Sequence, residues 1–309
     1  MEPLRIVFMG TPEFAVPSLE ILIRNKKNIV GVITAEDKPQ GRGQRAGISP
    51  VKEAAIKHGL KILQPSKLKS PEFIEELQSL KADLQIVVAF RMLPEIVWAM
   101  PPKGTFNLHA SLLPQYRGAA PINWAIINGE RETGVTTFFL QQEIDTGQII
   151  FQENEIITET DDAGSLYERL MMKGAGLVLK TVEAIESGTV KTNDQITFEN
   201  LKLAPKIFKE TCQINWNQSA LAIQNFVRGL SPYPGAWTEI RGKQFKIFRI
   251  SVSDGAMIGT AGEIQTDQEK YVLVKCSDGW ISLDEFQPEG KRKMTAAEYF
   301  RGNKLPLVS

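Results

Sequence analysis

The sequence predicts an α/β fold, a doubly wound and mostly parallel sheet, followed by a small C-terminal β-barrel. Three observations predict it. Short apolar runs alternate with helix-length amphipathic segments through most of the chain. Beyond about residue 205 that alternation gives way to short strands separated by Gly- and Asp-rich turns. The length of 309 residues exceeds the roughly 250 to 300 at which a single hydrophobic core stops growing, so two domains are expected.

The elements follow in order. Apolar runs at residues 4–9, 29–33 and 84–90 are bounded by polar or turn residues and read as strands. Residues 16–24, 51–58 and 71–80 lie between them at helix length, with Leu19, Leu22 and Ile23 spaced near a 3.6-residue period. Strand, helix, strand in this succession argues for a parallel sheet covered on both faces, which takes its ligands beyond the carboxyl ends of the strands where strand order reverses. Residues 36–50, EDKPQGRGQRAGISP, interrupt the pattern with a Gly-rich segment carrying Lys38, Arg42 and Arg45. It is longer than a plain strand-to-helix connection, and is either a mobile surface segment or a flap over a charged partner. Residues 106–108 read as the end of a strand, 133–140 and 148–156 as later strands, and 162–186 as a long amphipathic helix. Asp161 and Asp162 ahead of Ser165 suit that helix's N-terminus. A helix over 219–228 and strands over 237–240, 245–251, 271–275 and 281–286 make up the barrel region.

Hydrophobic residues at 42% and charged residues at 23% are ordinary for a globular protein. The start, MEPLRIVFMG, lacks the basic region and apolar stretch of a signal peptide, and no run approaches the roughly 18 apolar residues of a membrane span. A cytoplasmic protein is expected. Cys212 and Cys276 stand far apart, which speaks against a disulfide framework or a thiolate metal site. The formal net charge is zero, yet Arg241, Lys243, Lys246 and Arg249 cluster, and Lys291, Arg292 and Lys293 are consecutive. Such clusters track a phosphate backbone or simply face solvent.

The chain has two histidines. His58 ends a helix ahead of Gly59, where a cation suits the helix dipole, and reads as structural. His109 lies in GTFNLHASLLPQYRGAAPINW, at a strand end beside a Pro- and Gly-containing loop. Residues two apart on a strand share a side, so Asn107 and His109 present an amide and an imidazole to one space. That pairing suits acyl transfer, the amide donating to a developing oxyanion and the imidazole exchanging a proton near neutral pH. Asp145, in EIDTGQII between two strands, is a candidate carboxylate to orient the imidazole, or else ordinary turn chemistry. A single Asp-Thr-Gly does not make an aspartic protease, and no nucleophile elbow, phosphate-binding P-loop, zinc-protease motif or dinucleotide fingerprint is present.

Asn107-Leu108-His109, then Ser111-Leu112-Leu113-Pro114, then Asp145 in that order resembles the signature of the folate-dependent formyltransferases. The resemblance implies a Rossmann-like catalytic domain over residues 1–205 with the basic loop 36–50 inserted, and an OB-like barrel over 206–309. It implies Asn107, His109 and Asp145 as catalytic residues, and a reduced-folate site formed by Ser111, Leu112, Leu113 and Pro114 with Val88, Ala89 and Phe90. Gly10-Thr11-Pro12-Glu13-Phe14-Ala15, Gly41-Arg42-Gly43, Arg117-Gly118-Ala119-Ala120-Pro121-Ile122, Ala204-Pro205-Lys206-Ile207 and Pro232-Tyr233-Pro234-Gly235-Ala236-Trp237 are similar to the members that act on aminoacylated tRNA. The implied partners are 10-formyltetrahydrofolate as formyl donor and methionyl initiator tRNA as acceptor, with no metal and no membrane, and a monomeric enzyme. The implied tRNA contacts are Arg42, Arg45, Lys206 and Lys243. Formylation of a sugar-nucleotide amine, or hydrolysis of the donor, are the alternatives for the same site. After Phe90 the family usually continues with Gly and an aliphatic pair, whereas this chain has Arg91-Met92-Leu93-Pro94, so side-chain contacts to the pterin would differ while backbone contacts would survive.

Overall fold

The structure is a computed structural model that describes residues 3–40, 45–196, 200–253 and 258–305, with the backbone alone described at 38–40 and 45–46. In chain order its main elements are β1 (Arg5–Gly10), α1 (Val16–Arg24), β2 (Asn28–Ile33), β3 (Lys38–Gln40), β4 (Arg45–Gly47), α2 (Pro50–Lys57), β5 (Ile62–Leu63), α3 (Pro71–Ser79), β6 (Leu84–Val88), α4 (Glu95–Trp98), β7 (Thr105–His109), β8 (Arg117–Gly118), α5 (Pro121–Ile127), β9 (Glu132–Phe139), β10 (Ile149–Ile156), α6 (Ala163–Ser187), β11 (Leu203–Ala204), α7 (Ala220–Leu230), β12 (Ala236–Ile240), β13 (Lys243–Ser253), β14 (Ile264–Thr266), β15 (Val272–Lys275), β16 (Trp280–Pro288) and α8 (Ala296–Phe300). They form two compact units. One comprises Met1–Gly118, Thr133–Glu155 and Tyr167–Leu203; the other comprises Ala119–Glu132, Ile156–Leu166 and Ala204–Ser309.

The first unit is built on a seven-stranded sheet of order β10-β9-β7-β6-β1-β2-β5. β5, β2, β1, β6 and β7 run parallel, and β9 joins β7 antiparallel. Strand order reverses about β1, with β2 on one side and β6 on the other. Ile6, Val7, Phe8 and Met9 are all inaccessible to solvent, as are Leu84, Ile86 and Val88 of β6. Consecutive buried residues, rather than alternating ones, are what a central strand covered on both faces requires. One face packs Val7, Met9, Ile33 and Val87 against Phe73 and Leu77 of α3 and Val97 of α4.

Local chemistry starts the helices. Ser49 and Ser70 accept the Lys52 and Phe73 amides at the N-termini of α2 and α3, and Pro50 and Pro71 follow at the first helical position. At the base of the loop 36–50, β3 and β4 pair antiparallel, Lys38 opposite Gly47 and Gln40 opposite Arg45. β5, α4 and α5 have 2, 4 and 7 residues, too short to leave a period in the sequence.

The second unit carries an antiparallel sheet of order β12-β13-β16-β15-β14, curled as a half-barrel. β13 spans 11 residues, and its register against β16 shifts on either side of Arg249, the kind of irregularity that bends a strand and lets a sheet curl. The sheet packs on Ile223, Val227 and Leu230 of α7. Phe245, Phe286 and Tyr299 form a triangle with ring centroids 5.7 to 5.8 Å apart, joining β13, β16 and α8. A capping box starts α8: Thr295 accepts the Glu298 amide while Glu298 accepts the Thr295 amide. A hydrogen bond from Arg292 and that capping amide hold the Glu298 carboxyl down at about 2.

Phe286, one corner of this triangle, is 1% exposed. Phe286→Ala should therefore cost the second unit about 3 to 5 kcal/mol, read as a lowered urea midpoint for loss of its near-ultraviolet aromatic signal.

Candidate active site

His109 is the last residue of β7 and is 7% exposed. Its Nε2 lies 2.8 Å from the Tyr116 carbonyl oxygen. A carbonyl only accepts, so Nε2 carries a proton and donates it there, leaving Nδ1 as the nitrogen that can gain or lose one. Nδ1 faces the Asp145 carboxylate at 3.9 Å, beyond hydrogen-bonding length. Asn107, two residues earlier on β7, is half-buried, and among the described residues nothing hydrogen-bonds its amide. Its NH2 is thus free to donate to an oxygen brought beside His109.

The Ser111–Pro114 stretch is pinned from beneath by β9 and β10. Thr136 Oγ1 donates to the Ser111 carbonyl (2.6 Å) and receives the Leu113 amide (3.2 Å); Gln152 Nε2 donates to the Leu113 carbonyl (2.9 Å) and to Thr136 Oγ1 (3.0 Å). Ser111 itself is buried and spends its hydroxyl on the Gln115 carbonyl at 2.7 Å, so its side chain holds the loop shape. Gly134 lets this loop lie directly on β9, since a Cβ there would come within 2.5 Å of Leu112 Cδ2.

Asp145 reaches His109 by a route that residue spacing does not reveal. The connection from β9 to β10 leaves beside the start of β7, where the Leu140 amide bonds the Thr105 carbonyl at 2.8 Å. Four residues of β7, roughly 13 Å, separate that point from His109. The connection folds back over this distance and places Asp145 at φ 54°, a left-handed conformation uncommon outside glycine. The Gly118 amide then donates to Asp145 Oδ2 at 3.0 Å. Two more non-glycine residues with positive φ lie near the strand ends: Ala89 (47°), directly after β6, and Tyr116 (59°), whose carbonyl receives His109. Such residues concentrate where a site over-determines its backbone.

The other expected residues are dispersed. Val88 ends β6 and is buried, and Phe90 is partly covered by the Arg91 guanidinium 5.6 Å from its ring centre. Arg91 donates to the Ser66 carbonyl at 3.0 Å and also to the Pro65 carbonyl, so this departure from the family pattern ties two loops together, while Met92 is 75% exposed. Arg42 lies outside the described residues; of Arg45 only the backbone, in β4, is described. Lys206 and Lys243 are exposed in the second unit, Lys206 with its Nζ 5.4 Å from the Phe208 ring centre. The consecutive basic residues are engaged at home: Arg292 with Glu298 (2.7 Å), Lys293 with Glu285 (2.7 Å), and Lys291 with Asn303. Arg241, Lys243 and Arg249 make no ion pair among the described residues. Thr136, Gln152 and Gln195, which hold the site, carry no sequence signal of their own, and the backbone groups of Tyr116 and Gly118 become legible only once the loop is folded.

Residues 4–182 match the family model described as formyl transferase, and residues 206–304 match the model of the formyl transferase C-terminal domain. The chain is 54% identical over 310 aligned residues to the methionyl-tRNA formyltransferase of Azobacteroides pseudotrichonymphae, covering 97% of this chain and 96% of that one. It is 55% identical to the protein of the same name from Phocaeicola vulgatus, covering 97% and 95%. Among solved structures, the N-formyltransferase from Helicobacter canadensis in complex with folinic acid and dTDP-3-aminofucose superposes with a TM-score of 0.68 at 23% identity, covering 91% of this chain and 98% of that one. That likeness is one of fold.

Gly147 lets the returning loop close, because a Cβ there would stand 1.6 Å from the Phe139 carbonyl oxygen. Gly147→Ala should cost about 3 kcal/mol or more and displace Asp145, seen together as a lower urea midpoint and a lower transfer rate.

Proposed function

The chain belongs to the formyl transferase family, and from that premise we propose how its own residues carry a formyl group to the free α-amino group of methionyl initiator tRNA. The enzyme is a one-carbon transferase serving translation initiation. The observation that carries the choice of acceptor is that likeness to methionyl-tRNA formyltransferases runs at 54% identity through 97% of the chain, including the C-terminal domain. The structurally similar N-formyltransferase from Helicobacter canadensis, in complex with dTDP-3-aminofucose, shares only 23%. The formyl donor is folate-derived; we take it to be 10-formyltetrahydrofolate, bound without a metal.

Residues 1–205 form the catalytic domain in this reading and 206–309 the tRNA-binding domain. The Asn107 amide, without a hydrogen-bond partner among the described residues and beside a buried imidazole, fits a site for a carbonyl oxygen that gains negative charge. The bound reduced folate supplies a formyl group on N10. Ser111 to Pro114, pinned to β9 and β10, and the backbone of Val88 to Phe90 position the ring. The methionyl amine has a pKa near 7.7 to 8.0 before esterification lowers it, so much of it is already a nucleophile at neutral pH and no covalent enzyme intermediate is needed. As the amine adds to the formyl carbon, Asn107 donates to the formyl oxygen, and His109 donates to it through Nδ1 when protonated. Asp145 faces that same nitrogen, steadies the imidazolium and helps carry the proton lost by the amine to N10 as the old C–N bond breaks.

Arg42, Arg45, Lys206 and Lys243 contact the tRNA backbone in this proposal, with Arg241 and Arg249 as further exposed cations on the C-terminal domain. The engaged side chains of Lys291 to Lys293 make that cluster the weaker contact surface.

The decisive experiment offers 10-formyltetrahydrofolate with Met-charged initiator tRNA, Met-charged elongator tRNA, a sugar-nucleotide amine or water. Transfer confined to the initiator is expected; formate release or sugar formylation would overturn the acceptor. Asn107→Ala and His109→Ala should each fold normally and lose roughly 100- to 1,000-fold in turnover, and near-normal turnover of either would remove that residue from the mechanism. Arg42→Ala should weaken the use of tRNA and flatten its salt dependence, while an unchanged half-saturating tRNA concentration at every salt would sink that contact.

A further inference from the structure

The fold-back of the β9–β10 connection needs something to hold it. Two sets of hydrogen bonds reach this loop from outside and meet at Asp145. The Gly118 amide takes the carboxylate, and Gln195 takes the backbone: its Nε2 donates to the Asp145 carbonyl and the Gly147 carbonyl, both at 2.8 Å. The Gln195 oxygen in turn receives Arg117 Nε at 3.1 Å and Nη2 at 2.6 Å. The amide orientation is decided by its partners, since the reversed amide would set its oxygen against two carbonyls and its NH2 against a guanidinium. Both hydrogens and both lone pairs of this amide are therefore satisfied, and a guanidinium polarises it toward stronger donation.

The segment carrying Gln195 is itself registered on β10. Asn193 and Ile149 exchange backbone hydrogen bonds at 2.8 and 3.0 Å, Gln148 donates to Asp194 at 2.8 Å, and Thr192 donates to Gln148 at 2.9 Å. Gln195 therefore reaches the loop from a fixed base. Arg117 stands one residue from Gly118, so the group that fixes the Gln195 amide and the amide that fixes the Asp145 carboxylate belong to one dipeptide.

We propose that Gln195, held by Arg117, is the positioning residue that keeps Asp145 folded back onto His109 in its left-handed conformation. The proposal rests on the assignment of Asp145 to the reaction given above. Asp145 lies 3.9 Å from His109 Nδ1, so a small drift of its backbone separates the two groups, and misplacement by about 1 Å can cost a hundredfold in rate. Gln195 touches no reacting atom; it acts through Asp145.

The test uses the intact enzyme with Met-charged initiator tRNA and 10-formyltetrahydrofolate. Gln195→Glu is nearly isosteric and keeps an acceptor for Arg117, but it presents oxygens to the two loop carbonyls. Both Gln195→Glu and Gln195→Ala should lower kcat by about tenfold to a hundredfold, with KM for either substrate within about threefold. In the Asp145→Asn background, Gln195→Ala should add less than about twofold, because residues acting as a unit are not additive. Exchange of the Gly118 amide hydrogen, which Asp145 protects, should accelerate in both Gln195 variants while that of Ile149 does not. A Gln195→Glu enzyme as active as the parent overturns the proposal, as does a full additional loss in the Asp145→Asn background. Near-normal turnover of Asp145→Asn itself overturns the assignment of Asp145 and this proposal together, which separates the two failures.

Discussion

The direction of β9 governs the arrangement of the first unit's site. Five strands run parallel, and β9 then joins β7 the other way, with Phe106 opposite Phe139 and His109 opposite Thr136. The end of β9 therefore lies beside the beginning of β7, away from the imidazole. A carboxylate in the following connection reaches His109 only if that connection doubles back. The left-handed φ of Asp145, the close approach of Gly147 to Phe139 and the grip of Gln195 all follow from that single reversal. The same pairing puts Thr136 beneath the Ser111–Pro114 loop, where one hydroxyl engages the Ser111 carbonyl and the Leu113 amide.

Electrostatics in the second unit separates charge that is spent from charge that is free. Lys291, Arg292 and Lys293 look alike in the sequence, yet each has a partner close by, and Arg292 helps hold the Glu298 carboxyl at about 2 while Glu298 caps α8. Exposed ion pairs of this kind contribute little to stability, and they draw the cations away from an approaching polyanion. Arg241, Lys243 and Arg249 make no such pairs among the described residues. A run of basic residues is thus a poorer guide to a nucleic-acid surface than exposed cations whose neighbours leave them unpaired.

How much was legible depended on how local the cause is. The strands at the centre of the sheet were readable because burial on both faces writes an unbroken apolar run, as in Ile6 to Met9. The helix α6 was expected over 162–186 and spans Ala163–Ser187, since a long amphipathic period and an acidic start are local signals. β5, α4 and α5 were not readable, being too short to repeat a period often enough to announce it. The loop 36–50 read as either a mobile surface segment or a flap over a charged partner, and the pairing of its flanks as β3 and β4 carried no signal in its glycine-rich sequence. Arg91 read as a departure from the family pattern near the folate site; that its guanidinium binds the carbonyls of Pro65 and Ser66, some 25 residues earlier in the chain, was not readable from the sequence.

By itself the sequence determined which chemistry is available. Asn107 and His109 share a side of one strand because strand side chains alternate, and that holds wherever the strand is placed. Asp145 could be named from the order of a family motif, but not brought to His109 by any local rule. Only the tertiary structure decided which nitrogen of His109 faces Asp145, which backbone groups hold each of them, and that Gln195 and Arg117 brace the loop between β9 and β10. The physical reason is that these contacts join residues far apart in the chain, 27 positions for Gly118 with Asp145 and 78 for Arg117 with Gln195. No period or propensity records such a pairing, because it exists only once β9 has turned back against the sheet.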